Sequence, residues 1–291
     1  MSAPKLLQRS LLIAVAALSL GGLGLLLASR QQTGQSSVDV LGQLFAQDLQ
    51  STVRRAQVQG SPAPKPPPHP RWRSPLHRSC GLSADAALRD RLTRRLQQLQ
   101  RSKATVAIDP SNYGERFERD AFGNRIDPTP RLVVLHETVY GIGSAINTFV
   151  TPHPNDIDQV SYHALIGLDG AVVQVLDPLR RAFGSGNSAF DGEWVITNPE
   201  FKGSVNNFAL HVSLETPLDG ENDAPWHSGY TAAQYDALAA LLSDWMRRFR
   251  IAPERITTHA HVDLGGERSD PRSFDWPALQ LRLEALGMLC R

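Results

Sequence analysis

Apolar residues recur along this chain in two rhythms and one long unbroken run. The helical rhythm is clearest at Tyr235, Leu238, Leu241, Leu242, Trp245, Met246 and Phe249, where steps of three and four gather one apolar face. Thr231-Ala-Ala-Gln234 just before them has the form of a capping box, so a helix is predicted to start there. Residues 84–99, rich in Arg and Gln, predict a second helix. Residues 276–286 predict a third, with Pro277 in the first turn, where its missing N–H does no harm. Short continuous runs predict strands at 131–135, 161–167, 171–176, 208–214 and 255–258. Asp169-Gly170 separates the second and third of these, a strong hairpin signal. Strands interspersed with helices predict a single α/β domain built on one central sheet.

The unbroken run, residues 11–28, follows Lys5 and Arg9. A positive head before an apolar stretch reads as an export signal, and this one is nearly long enough to span a bilayer. No small-x-small cleavage site follows, so residues 1–29 are expected to act as a signal peptide or an uncleaved membrane anchor. That places the protein in the periplasm or cell envelope. Residues 30–79 predict a tether, with a short amphipathic segment at 38–49. Its Ser61-Pro-Ala-Pro-Lys-Pro-Pro-Pro-His-Pro70 run favours extended polyproline conformation and is expected to stay out of a packed core. The folded domain is expected over 80–291, flanked by Cys80 and Cys290. In an oxidising compartment these two would form a disulfide joining its ends; two free thiols are the alternative. With 30 basic and 29 acidic residues, the net charge of +1 gives no case for nucleic acid as a partner.

The candidate chemistry begins with His136 at the end of an apolar run, His259 after Ile256-Thr257-Thr258, and Asp270 in Arg268-Ser269-Asp270-Pro271. Two imidazoles and a carboxylate form a set that binds Zn²⁺ and leaves a fourth position for water. Functional groups in α/β sheets gather at strand ends, where His136 lies. Of the other histidines, His69 and His77 fall in the tether and are expected to be solvated. His163 and His211 lie within strands, and His227 follows Trp226 in a polar loop that would line a site.

Five segments occur in order: Val133-Val134-Leu135-His136-Glu137-Thr138, Ser161-Tyr162-His163-Ala164-Leu165-Ile166, Asp169-Gly170, Ile256-Thr257-Thr258-His259 through Asp270-Pro271, and Phe274-Asp275-Trp276. Together they resemble the zinc-dependent N-acetylmuramoyl-L-alanine amidases of the type 2 class, which includes phage amidase lysozymes and peptidoglycan recognition proteins. The resemblance covers roughly residues 130–286. It implies a mixed sheet flanked by helices, and a cleft for the glycan and stem peptide of peptidoglycan. By position it makes His136, His259 and Asp270 the zinc ligands. Tyr162 would sit beside the metal's water, and Arg268 would stand where relatives aim Lys or Thr at the scissile carbonyl.

The pattern departs from its relatives in three places. Ten residues separate His259 from Asp270 and eight separate His261 from it, where relatives have nine. Strand alternation would put both histidines on one face, and the apolar-Thr-Thr lead-in favours His259. Ser213 stands where many relatives carry a catalytic Glu, which makes Ser213 a substrate-side residue and Glu215 the second candidate for that carboxylate. Phe183-Gly-Ser-Gly-Asn187 replaces a segment that lines the cleft in relatives, so Asn187 is expected to contact substrate. The expectation is an exported, monomeric zinc amidase. A non-catalytic peptidoglycan-binding module is the alternative, although relatives that only bind have usually lost the third ligand. A structural or adhesive protein on a tether would make the three ligands a coincidence.

Overall fold

The computed structural model describes residues 60–81, 85–101 and 104–290. In chain order they form helix α1 (Ala86–Arg101), strands β1 (Ala104–Thr105), β2 (Tyr113–Gly114) and β3 (Leu132–Glu137), and helix α2 (Ile142–Val150). Strands β4 (Ala164–Ile166), β5 (Val172–Gln174), β6 (Arg181–Ala182) and β7 (Ala209–Leu214) follow, then helix α3 (Ala232–Phe249). Strand β8 (Ile256–Thr258), a single helical turn α4 (His259–Val262) and helix α5 (Trp276–Ala285) complete the domain. The expected signal or anchor at 11–28 and the segment at 38–49 lie outside the described residues.

Six strands make the main sheet in the order β1-β5-β4-β7-β3-β8. Strand β3 runs parallel to both β7 and β8, and β4 runs parallel to β7, while β4 and β5 pair antiparallel. The sheet is therefore mixed and the α/β expectation holds. Strands β3 and β7 are buried at every position, which explains why their sequences read as unbroken rather than alternating runs. Alternate side chains still divide between two faces. Val133, Leu135, Leu210, Val212 and Leu214 pack with Leu238, Leu241, Leu242 and Leu283 of the helical layer. Leu132 and Val134 face the other way, towards Phe190, Val205, Phe208 and Val262.

Local sequence signals account for the joints. The turn from β4 to β5 closes with Gly170 N–H donating to Gly167 O at 2.7 Å. Gly170 has φ +79°, and a Cβ there would lie 2.5 Å from Ala233 O, so the position admits only glycine. The capping box at α3 is formed: Thr231 Oγ1 accepts from Gln234 N–H at 3.1 Å, and Gln234 Oε1 accepts from Thr231 N–H at 2.9 Å. Helix α2 was not anticipated, although Ile142, Ala145, Ile146 and Phe149 carry its spacing.

Residues 60–79 depart from expectation. They lie along the domain as a strap. Ser61 N–H donates to Phe122 O at 3.0 Å, Trp194 Nε1–H to Pro64 O at 2.9 Å, and Trp72 N–H to Asp191 Oδ1 at 2.9 Å. Proline removes donors but leaves carbonyls free to accept, and Leu76 is apolar enough to join the main core. His69, expected to be solvated, packs on His261 with ring centroids 4.9 Å apart. The strap ends at the disulfide Cys80–Cys290, whose Cα atoms are 4.4 Å apart.

Candidate functional site

Parallel register places Val134 beside His211 and His136 beside Ser213, all on the face away from the helical layer. His136 is fully buried at the end of β3. Its Nδ1 lies 3.3 Å from Asp270 Oδ2, and His259 Nδ1 lies 3.0 Å from Asp270 Oδ1. One ligand atom from each of the three lies within 4.8 Å of the others. His136 Nδ1 is buried without a hydrogen bond of sound geometry, an orphaned lone pair aimed at the carboxylate. Its Nε2 is 3.0 Å from His211 Nδ1. A metal on Nδ1 requires the ring proton on Nε2, and His211 is placed to accept it.

Electrostatics hold the set in its ligand form. Burial and then the neighbouring His259 push His136 down to about 4, against the pull of Asp270. Burial alone would raise the Asp270 carboxyl, but the adjoining His136 and His259 imidazoles outweigh it and keep the group well below the carboxylate range. A neutral buried imidazole and a carboxylate turned towards one point are what a divalent metal with an open position requires, so the residues fit such an ion.

The turn that carries His259 explains which histidine joins. Thr258 Oγ1 accepts from His261 N–H at 3.2 Å and caps a helical turn, so residues 259–262 are not extended. At about 100° per residue, positions two apart diverge by about 200°. His261 therefore leaves the triad and packs against Trp72, with centroids 4.6 Å apart. The expectation that both histidines share a face fails for that reason.

The remaining candidates divide. The Tyr162 ring stacks on His136 with centroids 4.4 Å apart, and burial raises its phenol, so it stays protonated. Ser213 is fully buried with its Oγ unpartnered, beside His136. Asn187 accepts from Leu264 N–H through its carbonyl at 3.0 Å, while its buried Oδ1 has no partner. Arg268 is exposed, and its charge reaches far enough to help lower His136. Two candidates have other work. Glu215 accepts from Ile142 N–H at 2.9 Å with one oxygen and Leu168 N–H at 2.8 Å with the other, so it ties the start of α2 and the hairpin to the end of β7. His227 is buried with Nδ1 accepting from Gly229 N–H and Nε2 3.2 Å from Glu137, whose side chain leaves β3 opposite His136. Neither is free to meet substrate. The reading along the chain missed His211, although strand register alone puts it on the ligand face.

Residues 126–273 match the model of the N-acetylmuramoyl-L-alanine amidase family, half of the chain. The chain belongs to the N-acetylmuramoyl-L-alanine amidase family. It is accordingly a hydrolase acting on an N-acetylmuramoyl-L-alanine bond. Among curated relatives it is similar to the 1,6-anhydro-N-acetylmuramyl-L-alanine amidase AmpD of Citrobacter freundii, with 29% identity over 59% of this chain and 73% of the relative. The AmpD of Haemophilus influenzae matches at 25% identity over 59% of this chain and 74% of that one. A solved AmpD crystal structure matches with a TM-score of 0.46 and 23% identity, covering 62% of this chain and 94% of that one.

Proposed function

We propose that this family member is a zinc amidase that cleaves between the lactyl group of N-acetylmuramic acid and L-Ala, in peptidoglycan outside the cytoplasm. The observation that carries the reading is the orphaned Nδ1 of His136, facing His259 and Asp270 at the end of a buried strand. Export is supported by the apolar run after Lys5 and Arg9 and by the disulfide Cys80–Cys290. Peptidoglycan reached from that side means intact wall or fragments released from it.

His136 Nδ1, His259 Nδ1 and the Asp270 carboxylate would hold the Zn²⁺. When bound, the ion lowers the pKa of a water to about 7 and polarises the amide carbonyl. The chain's own groups do the rest. His211 fixes the His136 ring by accepting at its far nitrogen. Tyr162 keeps its proton and acts as a donor and a wall, not as a base. Arg268 carries a permanent charge at the exposed rim and meets the negative charge that develops on the carbonyl oxygen. Asp270 is part of the site, which separates this chain from relatives that only bind. Purified peptidoglycan incubated with the full chain should release stem peptides, and chelation should stop the release. Full turnover by metal-free protein would refute the proposal.

A further inference from the structure

Behind the ligand face lies a second cluster that the chemistry above does not use. Glu137 follows His136 in β3 and is 4% exposed, and Arg272 follows Asp270 by two residues and is 7% exposed. Glu137 Oε1 accepts from Arg272 Nε–H at 2.5 Å. Its Oε2 accepts from Arg272 N–H at 3.0 Å and from Tyr230 O–H at 2.7 Å, with His227 Nε2 at 3.2 Å. The other guanidinium nitrogens donate to Asn222 O, Ala224 O and Gly220 O, at 2.8, 2.6 and 2.6 Å. Every nitrogen of the arginine and both oxygens of the glutamate are engaged.

The placement matters because Asp270 lies between α4 and α5 on a segment without regular structure, and residues 265–269 ahead of it are exposed. Besides the contacts of its carboxylate with His136 and His259, two attachments tie it down. Ala260 N–H donates to Asp270 O at 2.9 Å, and Arg272 is locked to Glu137. The second attachment joins the first ligand's strand to the third ligand's loop, one residue from His136 and two from Asp270.

We propose that Glu137 and Arg272 are positioning residues for the metal centre, holding the Asp270 carboxylate at its distance from His136. The proposal rests on the zinc reading above. A latch of this kind resembles the outer groups that orient metal ligands, whose loss lowers metal affinity about 10- to 100-fold. It predicts a loss of affinity that a merely structural ion pair would not give. Asp236 supplies the comparison: it pairs with Arg91 and Arg282 at 2.7 Å each and involves none of the ligand segments.

The test measures Zn²⁺ affinity of the full chain by competition with a chromophoric chelator, alongside the absorption spectrum of the Co²⁺-loaded protein. Glu137→Gln should weaken Zn²⁺ binding by about 10- to 100-fold and alter the Co²⁺ bands. Tyr230→Phe keeps the ion pair and should give a smaller loss in the same direction, which serves if Glu137→Gln fails to fold. Asp236→Asn should lower the melting temperature with affinity unchanged. Unchanged affinity and Co²⁺ bands in Glu137→Gln and Tyr230→Phe, with Zn²⁺ still bound by the wild type, would overturn the latch and leave the zinc reading standing. A wild type that binds no Zn²⁺ would overturn both.

Discussion

One dipeptide in β3 serves two buried polar clusters, and they differ in how fully their atoms are matched. On one face, His136, His259, Asp270, His211 and Ser213 leave the His136 Nδ1, His211 Nε2 and Ser213 Oγ without partners. On the other, Glu137 and Arg272 leave no side-chain oxygen or nitrogen unengaged. Buried polar groups are nearly always hydrogen-bonded, because an unmatched one loses its water without replacement. A complete cluster can be read as structure, and an incomplete one at a strand end calls for a ligand. The same test separates the other candidates: Glu215 has no free oxygen, and Tyr162 keeps a proton to give.

The largest expected effect comes from the incomplete side. Asp270→Ala should reduce stem-peptide release to background while far-UV circular dichroism stays that of the wild type. Retained turnover would mean the open cluster is not the site. On the complete side the signs reverse. Glu137→Ala leaves a buried guanidinium unpaired and should destabilise the fold by about 3–5 kcal/mol, read by urea denaturation. A loss below about 1 kcal/mol would show that Arg272 finds water and that the cluster is less closed than described.

A third buried group sharpens the comparison through pH. His163 Nδ1 accepts from His211 N–H at 2.9 Å, and its Nε2 lies 3.2 Å from Arg180 O, which defines one neutral tautomer. Burial, and then Arg116, push it down to about 3. In the unfolded chain a histidine takes up its proton near 6.5. The stability it contributes is therefore complete above about pH 6.5 and is lost as pH falls from there towards 3. The melting temperature should drop across that window, and His163→Gln should make the drop shallower. A profile identical in the two proteins would remove His163 from the account.

The smallest effect belongs to a feature outside both clusters. Thr231→Ala removes one half of the capping box at α3 and should cost about 1 kcal/mol without touching metal binding or turnover. A larger loss, or any change in activity, would mean that the Thr231 bond to Leu168 O also holds the hairpin in place.

Much of this was readable along the chain where local chemistry decides. Strands β3 and β7, the Asp169-Gly170 hairpin and the capping box each follow from a few adjacent residues. Helix α2 was readable too, since Ile142, Ala145, Ile146 and Phe149 repeat at helical steps, but Gly141 gives no side-chain cap to mark its start. His259 against His261 turned on whether the strand continued past Thr258. The threonine was itself the sign, because its hydroxyl caps the turn that sends the two rings apart. The strap was misjudged because proline argues against sheet and helix but not against lying on a surface, and Trp72 and Leu76 were the apolar residues that could bind it there. The partners of Glu215, and the Glu137 that takes up His227 Nε2, are distant in sequence, so nothing local tells a catalytic group from one already engaged.

The central claim is that the unmatched cluster is a metal centre with His259 as its second imidazole. Calorimetric titration of Zn²⁺ into the metal-free full chain tests it directly. The wild type and His261→Ala should each bind one equivalent, and His136→Ala and His259→Ala none. A wild type that binds no Zn²⁺, or a His259→Ala protein that still takes a full equivalent, would contradict it.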